Sequence, residues 1–216
     1  MNKTLIKQWK TLNFRNKVLN IENTPRCTLE CPACKRTEYK NRHGKQAKLP
    51  GQDLTVEQFE KVIDYFSEIN WCGQISDPIY GKHFIECLEI CYKKDIWCKI
   101  ATAASSRKES WYKKAFLANP NARWIFGIDG PPHLSHLHRI NQDGEHLFNM
   151  MCLAKDLGLK DVWWQLIVFS FNEDYIDECK GLAKKHNLSL DIIISSRDVD
   201  KSLLPKNPIY NVDERV

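Results

Sequence analysis

The residues of this sequence best suited to chemistry are three cysteines set close together. Cys27-Thr28-Leu29-Glu30-Cys31-Pro32-Ala33-Cys34 has the spacing C-x3-C-x2-C. Thiolates hold iron–sulfur clusters, and a tight loop can bring three of them to three corners of one [4Fe–4S] cubane. A fourth cysteine would saturate such a cluster, whereas three leave one iron free to chelate a small ligand. Asn23-Thr24-Pro25 before the motif and Pro32 inside it stiffen the loop, and Pro32 also removes one backbone donor. On spacing alone two other readings stay open. One is a structural zinc loop with a fourth ligand such as His43, although such sites are four-coordinate and more often built from C-x2-C pairs. The other is three unrelated thiols.

Such a loop needs regular elements to hold its ends. Strands are expected at Lys17–Glu22, directly before the cysteines, and at Trp71–Ile75, Trp97–Thr102, Arg123–Asp129, Val162–Phe169 and Leu190–Ser195. Between them, apolar residues at helical spacing predict helices over Leu54–Ile69, Lys82–Lys94, Arg107–Ala118, Gly144–Leu157 and Glu173–Lys185. Thr55 with Gln58 can close a capping box, Asn172 is placed to cap the last helix, and Gly158 holds the usual place of a left-handed C-terminal cap. This alternation argues for a parallel sheet with right-handed crossovers, either an open doubly wound sheet or an incomplete barrel. Both put chemistry at the C-terminal ends of the strands.

The 216 residues suit one domain, and 43% hydrophobic with 27% charged residues allow a proper core. The formal charge of +5 is mild. Lys and Arg are spread along the chain without a run of five or six, so nucleic acid is not an expected partner, though an acidic redox protein would find the surface attractive. No segment reaches the ~18 consecutive apolar residues of a membrane span, and the basic start lacks the apolar core of a secretory signal. A cytoplasmic location follows as the expectation. Nine cysteines, an odd number, suggest metal ligation plus buried free thiols rather than disulfides. Cys87 and Cys91, four apart on a helix, read as small buried residues facing the sheet. Trp163 and Trp164 read as packing, and His133, His136 and His138 as loop or surface residues.

The C-x3-C-x2-C spacing directly after a first strand resembles the signature of the radical S-adenosylmethionine (SAM) superfamily. Ile21–Arg36 looks most like its branch of molybdenum-cofactor and peptide-modifying enzymes. The resemblance runs over roughly Lys17 to Ser196. It implies a partial (β/α)6 barrel in which Cys27, Cys31 and Cys34 ligate a [4Fe–4S] cluster. The open iron would bind the amino and carboxylate groups of SAM. One-electron reduction would then release a 5′-deoxyadenosyl radical that takes hydrogen from a substrate. A flavodoxin or ferredoxin is the implied electron donor.

Further residues are carried over by the same resemblance. Gly73-Gln74-Ile75-Ser76-Asp77-Pro78 stands where the family has Gly-Gly-Glu-Pro, so Asp77 would replace the glutamate facing the SAM ammonium, with Ser76 beside it. A plain Asp-Pro turn is the alternative for that stretch. Thr102 and Ser105 occupy the place of a Thr-Asn-Gly run. Ile128-Asp129-Gly130 resembles Ser-Ile-Asp-Gly with Gly127 replacing the serine, and Arg139 follows at the spacing of an arginine that grips the SAM carboxylate. Gln165 on the fifth strand is a further candidate facing the barrel interior. Ala33 stands where an aromatic residue is common. The expected divisions are a basic N-terminal extension (1–16), the barrel (17–196) and an irregular tail (197–216). The auxiliary-cluster domain that peptide-modifying relatives often append is not expected. A peptide, a protein side chain or a bulky metabolite is the favoured substrate. A compact deazapurine-pathway enzyme is an alternative, and a non-catalytic zinc or iron–sulfur scaffold is another of a different class.

Overall fold

Alternation along the strands decides which way the sheet faces. In a computed structural model that describes residues 18–195 and 200–210, six strands form one parallel sheet in the order of the chain, β1 to β6. They are β1 (Val18–Ile21), β2 (Glu68–Cys72), β3 (Trp97–Thr102), β4 (Arg123–Gly127), β5 (Val162–Val168) and β6 (Ser189–Ile194). A doubly wound sheet reverses its strand order part-way; this one never does, so it curls in one sense as a partial (β/α)6 barrel. Every second residue of the central strands, such as Ile69, Trp71, Ile100, Trp124, Phe126, Trp164 and Leu166, is fully buried under the helices. The intervening residues line the concave face and stay half-buried.

The helices are α1 (Lys35–His43), α2 (Val56–Ile63), α3 (Phe84–Lys93), α4 (Glu109–Ala118), α5 (Gly144–Asp156) and α6 (Ile176–Lys185). Trp71 joins Phe59 and Phe84 across the sheet–helix interface, with ring centroids 5.3 Å apart in each pair. Phe116 meets Trp124 edge-on at 4.9 Å, an arrangement worth about 0.5–1.5 kcal/mol beyond burial. Cys87, Cys91 and Cys98 are buried in the same core as free thiols, Cys87 and Cys91 facing the sheet as expected.

Three expectations need correction. The helix expected over Leu54–Ile69 stops at Ile63, and β2 begins at Glu68 instead of Trp71. Ile69 sits at helical distance from Phe66, yet it alternates with Trp71 as an inward strand residue. Residues 73–76 then make so tight a turn that a Cβ on Gly73 would lie 1.8 Å from the Ser76 carbonyl oxygen. Asn172 does not cap the last helix, which starts at Ile176 after a short 3-10 turn; its side chain accepts from the Phe169 N–H at 2.8 Å and donates to the Ile167 carbonyl at 2.9 Å. Finally, α1 has no counterpart among the expected elements, because KRTEYKNRH carries no apolar period. Glu38 holds it through ion pairs with Lys35 (2.8 Å) and Arg42.

Other local signals hold. Thr55 and Gln58 form the reciprocal capping box of α2, and Gly158 takes a φ of +88° just after α5. The expected N-terminal extension lies outside the described residues. Of the tail, residues 200–210 form two 3-10 turns, and Leu203 accepts from the Ser170 N–H at the end of β5.

Candidate cofactor site at the C-terminal edge of the sheet

The chain leaves β1 directly into the cysteine loop, and polar side chains pin that loop from outside. Thr24 donates to Asp53 at 2.7 Å, Asn23 donates to the Pro78 carbonyl at 3.0 Å, and the Arg26 carbonyl accepts from the Asp77 N–H at 2.9 Å. Leu29, buried between the cysteines, anchors the loop to the core. The Cys31 carbonyl accepts from the Cys34 N–H at 3.1 Å, closing a turn over Pro32 and Ala33. Cys34 is then the N-cap residue of α1. The unpaired N–H groups of that first turn favour negative charge on the loop.

One cavity of about 310 Å3 opens beside the loop. Cys27, Cys31 and Cys34 line it together with Ser76, Asp77, Thr102, Arg139 and Gln165. These residues come from five different segments of the chain, brought to one wall. Asp129 is not among the lining residues. It is fully buried behind Arg139, which it meets at 2.9 Å, and it also accepts from the Ile167 N–H at 3.1 Å.

Two carboxylates hold the cavity's geometry. Asp77 accepts from Thr102 Oγ1 (2.9 Å) and from the N–H groups of Ala103 and Ala104 (both 2.9 Å), tying the loop after β2 to the end of β3. A carboxylate has about four lone-pair sites, so these bonds use nearly all its capacity. Burial pushes Asp77 above its ordinary value, against the pull of those hydrogen bonds. In Asp129 burial also pushes upward, but Arg139 and the His138 hydrogen bond outweigh it and leave the group below the ordinary range. The absence of a side chain at Gly127 makes room for this pair, since a Cβ there would lie 2.8 Å from Arg139 Nη2.

Sequence reasoning missed four residues of this region. Arg36 is buried against the cavity and donates through Nε to the Ile75 carbonyl at 3.1 Å, while its Nη1 has no partner. Its place two residues after Cys34 was the available signal. His138, read as a surface residue with His133 and His136, is instead buried, paired with Asp129 at 2.9 Å and tilted against Phe169 with ring centroids 4.2 Å apart. Its Nε2 is also without a partner, and only the other two histidines are exposed. Glu22 accepts from the backbone N–H groups of Gln74 and Ile75 and from the Ser76 hydroxyl. Gln142 bridges the ends of β3 and β4 by donating to the Ala103 and Gly127 carbonyls.

Thiolates are the ligand type of an iron–sulfur cluster and the three cysteines line one cavity, although among the described residues no group of three or more His, Cys, Asp or Glu is arranged to hold a metal ion. Burial pushes the Cys27 thiol up to about 12, Asp77 adding to the rise and Arg36 opposing it. Burial likewise raises Cys31, against the pull of Arg139. Metal coordination removes such protons outright, and two buried guanidiniums stand ready to balance the resulting charge. His43, the fourth ligand of the zinc reading, is exposed at the far end of α1 and lies tilted against Tyr39 with ring centroids 4.4 Å apart. It lies nine positions beyond Cys34, about 13 Å of helical rise.

No family model and no curated protein matches this chain. Solved structures do. SuiB of Streptococcus suis bound to S-adenosylmethionine superposes with a TM-score of 0.66 at 13% identity, over 94% of this chain and 46% of that one. Coproporphyrinogen III oxidase (HemN) of Escherichia coli, a radical SAM enzyme, gives 0.63 at 14% identity, over 97% and 53%. The fold is that of radical SAM enzymes. A third structure, anSMEcpe with bound AdoMet, gives 0.62 at 17% identity over 82% and 50%. Identities this low speak for the fold, and the chain spans about half the length of the structures it matches. Among the described residues, no helix is long and apolar enough to cross a membrane.

Proposed function

We propose that this chain is a radical SAM enzyme, with a [4Fe–4S] cluster on Cys27, Cys31 and Cys34 and SAM in the adjoining cavity. The observation that carries the reading is the convergence of those three thiols with Arg36 and Arg139 on one cavity, in a fold that binds SAM in SuiB and anSMEcpe. When bound, the cluster supplies one electron to split SAM into methionine and a 5′-deoxyadenosyl radical that takes a hydrogen atom from substrate.

The chain's own residues orient and shelter that chemistry. Arg139, held by Asp129 through Nε and Nη2, has Nη1 left for the SAM carboxylate; its planar fork suits that partner. Asp129 is thereby a positioning residue. Asp77 keeps its hydrogen bonds within the protein, so its part is a fixed negative charge that draws the SAM ammonium to the wall formed by Ser76 and Thr102. Gln165, between Ile125 and Ile167 on the concave face, supplies a polar group beside apolar contacts for the nucleoside. Peptides are the favoured substrates, supported by structures of this fold that hold one: SuiB with its precursor peptide SuiA and anSMEcpe with the Kp18Cys peptide. The catalytic unit is taken as 17–196, served by a flavodoxin or ferredoxin.

Anaerobic reconstitution with iron and sulfide, followed by SAM and dithionite, tests this. The native protein should release 5′-deoxyadenosine and the Cys34→Ala variant should release none. Zinc in the purified protein together with no SAM cleavage would sink the proposal.

A further inference from the structure

Two stretches of this chain carry its excess positive charge: residues 1–16, with four Lys and Arg and no acid, and the residues that follow the cysteine loop. Residues 35–48 hold six Lys and Arg (Lys35, Arg36, Lys40, Arg42, Lys45 and Lys48) against the single acid Glu38, a formal +5 that equals that of the whole chain. The 168 residues that follow, 49–216, carry 20 Lys and Arg against 24 Asp and Glu, so the body of the protein is slightly acidic. The even spread expected from the sequence is therefore only an absence of unbroken runs. Arg36 turns inward to the Leu29 and Ile75 carbonyls. Lys35 and Arg42 share Glu38, and Lys40 reaches Glu30 at 3.4 Å. Lys45 and Lys48 are exposed and form no ion pair among the described residues. Like charges have been gathered here beyond what local pairing satisfies.

Apolar surface adjoins that charge. Ile140 (40% exposed) and Leu137 (48% exposed) lie on the segment whose backbone clasps the cysteine loop: the Ile140 carbonyl accepts from the Glu30 N–H at 3.0 Å, and Asn141 Nδ2 donates to the Thr28 carbonyl. Pro32, at the tip of the cysteine turn, is exposed as well. An apolar centre beside a charged rim is the usual anatomy of a protein interface.

We infer that α1 and the following residues to Lys48, with Pro32, Leu137 and Ile140, form the docking surface for an acidic one-electron donor protein. The inference rests on the proposed function, because only a cluster on this loop gives an electron a destination here. Cys34 is the N-cap of α1, so a partner seated on this helix stands against the cluster's own ligand loop. The step is a transfer of one electron: the donor's low-potential flavin or iron–sulfur centre is oxidised by one and the cluster reduced by one. Charge complementarity would steer the encounter and make it sensitive to salt.

The test uses flavodoxin as the probe, with two readouts on the reconstituted protein. Binding is followed by biolayer interferometry, and 5′-deoxyadenosine formation is driven either by reduced flavodoxin or by dithionite. The variant Arg42→Glu/Lys45→Glu/Lys48→Glu should weaken flavodoxin binding about ten-fold or more, mostly through kon. It should cut the flavodoxin-driven rate similarly while leaving the dithionite-driven rate unchanged. A control, Lys180→Glu/Lys184→Glu/Lys185→Glu on α6, should match the native protein in both. Undiminished flavodoxin binding in the α1 variant, or an equal loss in the control, would overturn the assignment. So would loss of binding to a short RNA with the flavodoxin arm intact, which would give the patch to nucleic acid. Native protein that fails to cleave SAM even with dithionite would instead overturn the radical SAM reading, and this inference with it.

Discussion

At the scale of single residues, the site is governed by which carboxylates are already occupied. Asp77 and Asp129 both stand in motifs where the resemblance expects residues of the SAM site. Their hydrogen bonds show a division of labour: Asp77 locks the β2 loop to β3, and Asp129 locks Arg139 and His138 behind the cavity wall. Gly127, which stands where the resembled pattern has serine, is explained by the same pair, because the guanidinium fills the space a side chain would need. Asp129 is fully buried and Arg139 largely so, and removing one partner of a buried ion pair costs about 3–5 kcal/mol. Asp129→Asn should therefore destabilise the protein by roughly that amount at neutral pH. The cost should also depend on pH. Asp129 is held below its ordinary value in the folded state, so its contribution is complete above the unfolded value of about 3.9 and is lost as pH falls through the folded one. Urea unfolding of both proteins at pH 7 and near pH 3 checks this. The gap between them should narrow on acidification, and an unchanged gap would show that the pair is not what the carboxylate contributes.

At the scale of elements, the strands and five of the helices were legible because each has one apolar face. The six strands pack one side under helices and leave the other facing a half-open interior, which writes a period of two even into a parallel sheet. Where that signal is missing, so was the element: α1 has no apolar period and is held by ion pairs to Glu38. The β2 boundary misled because Ile69 satisfies a helical and a strand period at once. Cavity residues were legible only in part. Ser76 in the loop after β2, Thr102 at the end of β3 and Gln165 within an apolar strand stand out as polar groups, whereas Glu22, Arg36 and Gln142 act through bonds to distant backbone groups that no local pattern records. The capping box of α2 was legible and has a reach beyond its helix. Asp53, two residues before Thr55, receives Thr24 and Arg26 from the cysteine loop. Thr55→Ala removes a cap worth about 1 kcal/mol at an exposed helix end. We expect a lower urea midpoint with an unchanged m-value. An altered m-value would mean that the cysteine loop had come apart with the cap.

At the scale of the whole molecule, the sheet curls without closing. β1 and β6 are both edges, and the cavity lies where loops from several strand ends meet through polar contacts instead of apolar packing. The helix-facing core, with its buried Trp71, Trp124 and Trp164, does not depend on those contacts. Ligands that bridge the loops should therefore add stability by mass action, since the unfolded chain offers them no assembled site. SAM at a hundred times its Kd would contribute about 2.7 kcal/mol, and in a chain of this size each kcal/mol moves Tm by about 2–4 °C. The reconstituted protein should thus melt about 5–10 °C higher with saturating SAM than without it, measured anaerobically. Stripping the iron with a chelator should abolish most of that shift, because the open iron is expected to hold the amino and carboxylate groups. Two arginines alone would then face the ligand's carboxylate, with no partner for its ammonium beyond the already committed Asp77. A full shift that survives the chelator would mean that the cavity binds the nucleoside without help from the cysteine loop, and the three thiols would then need a different explanation.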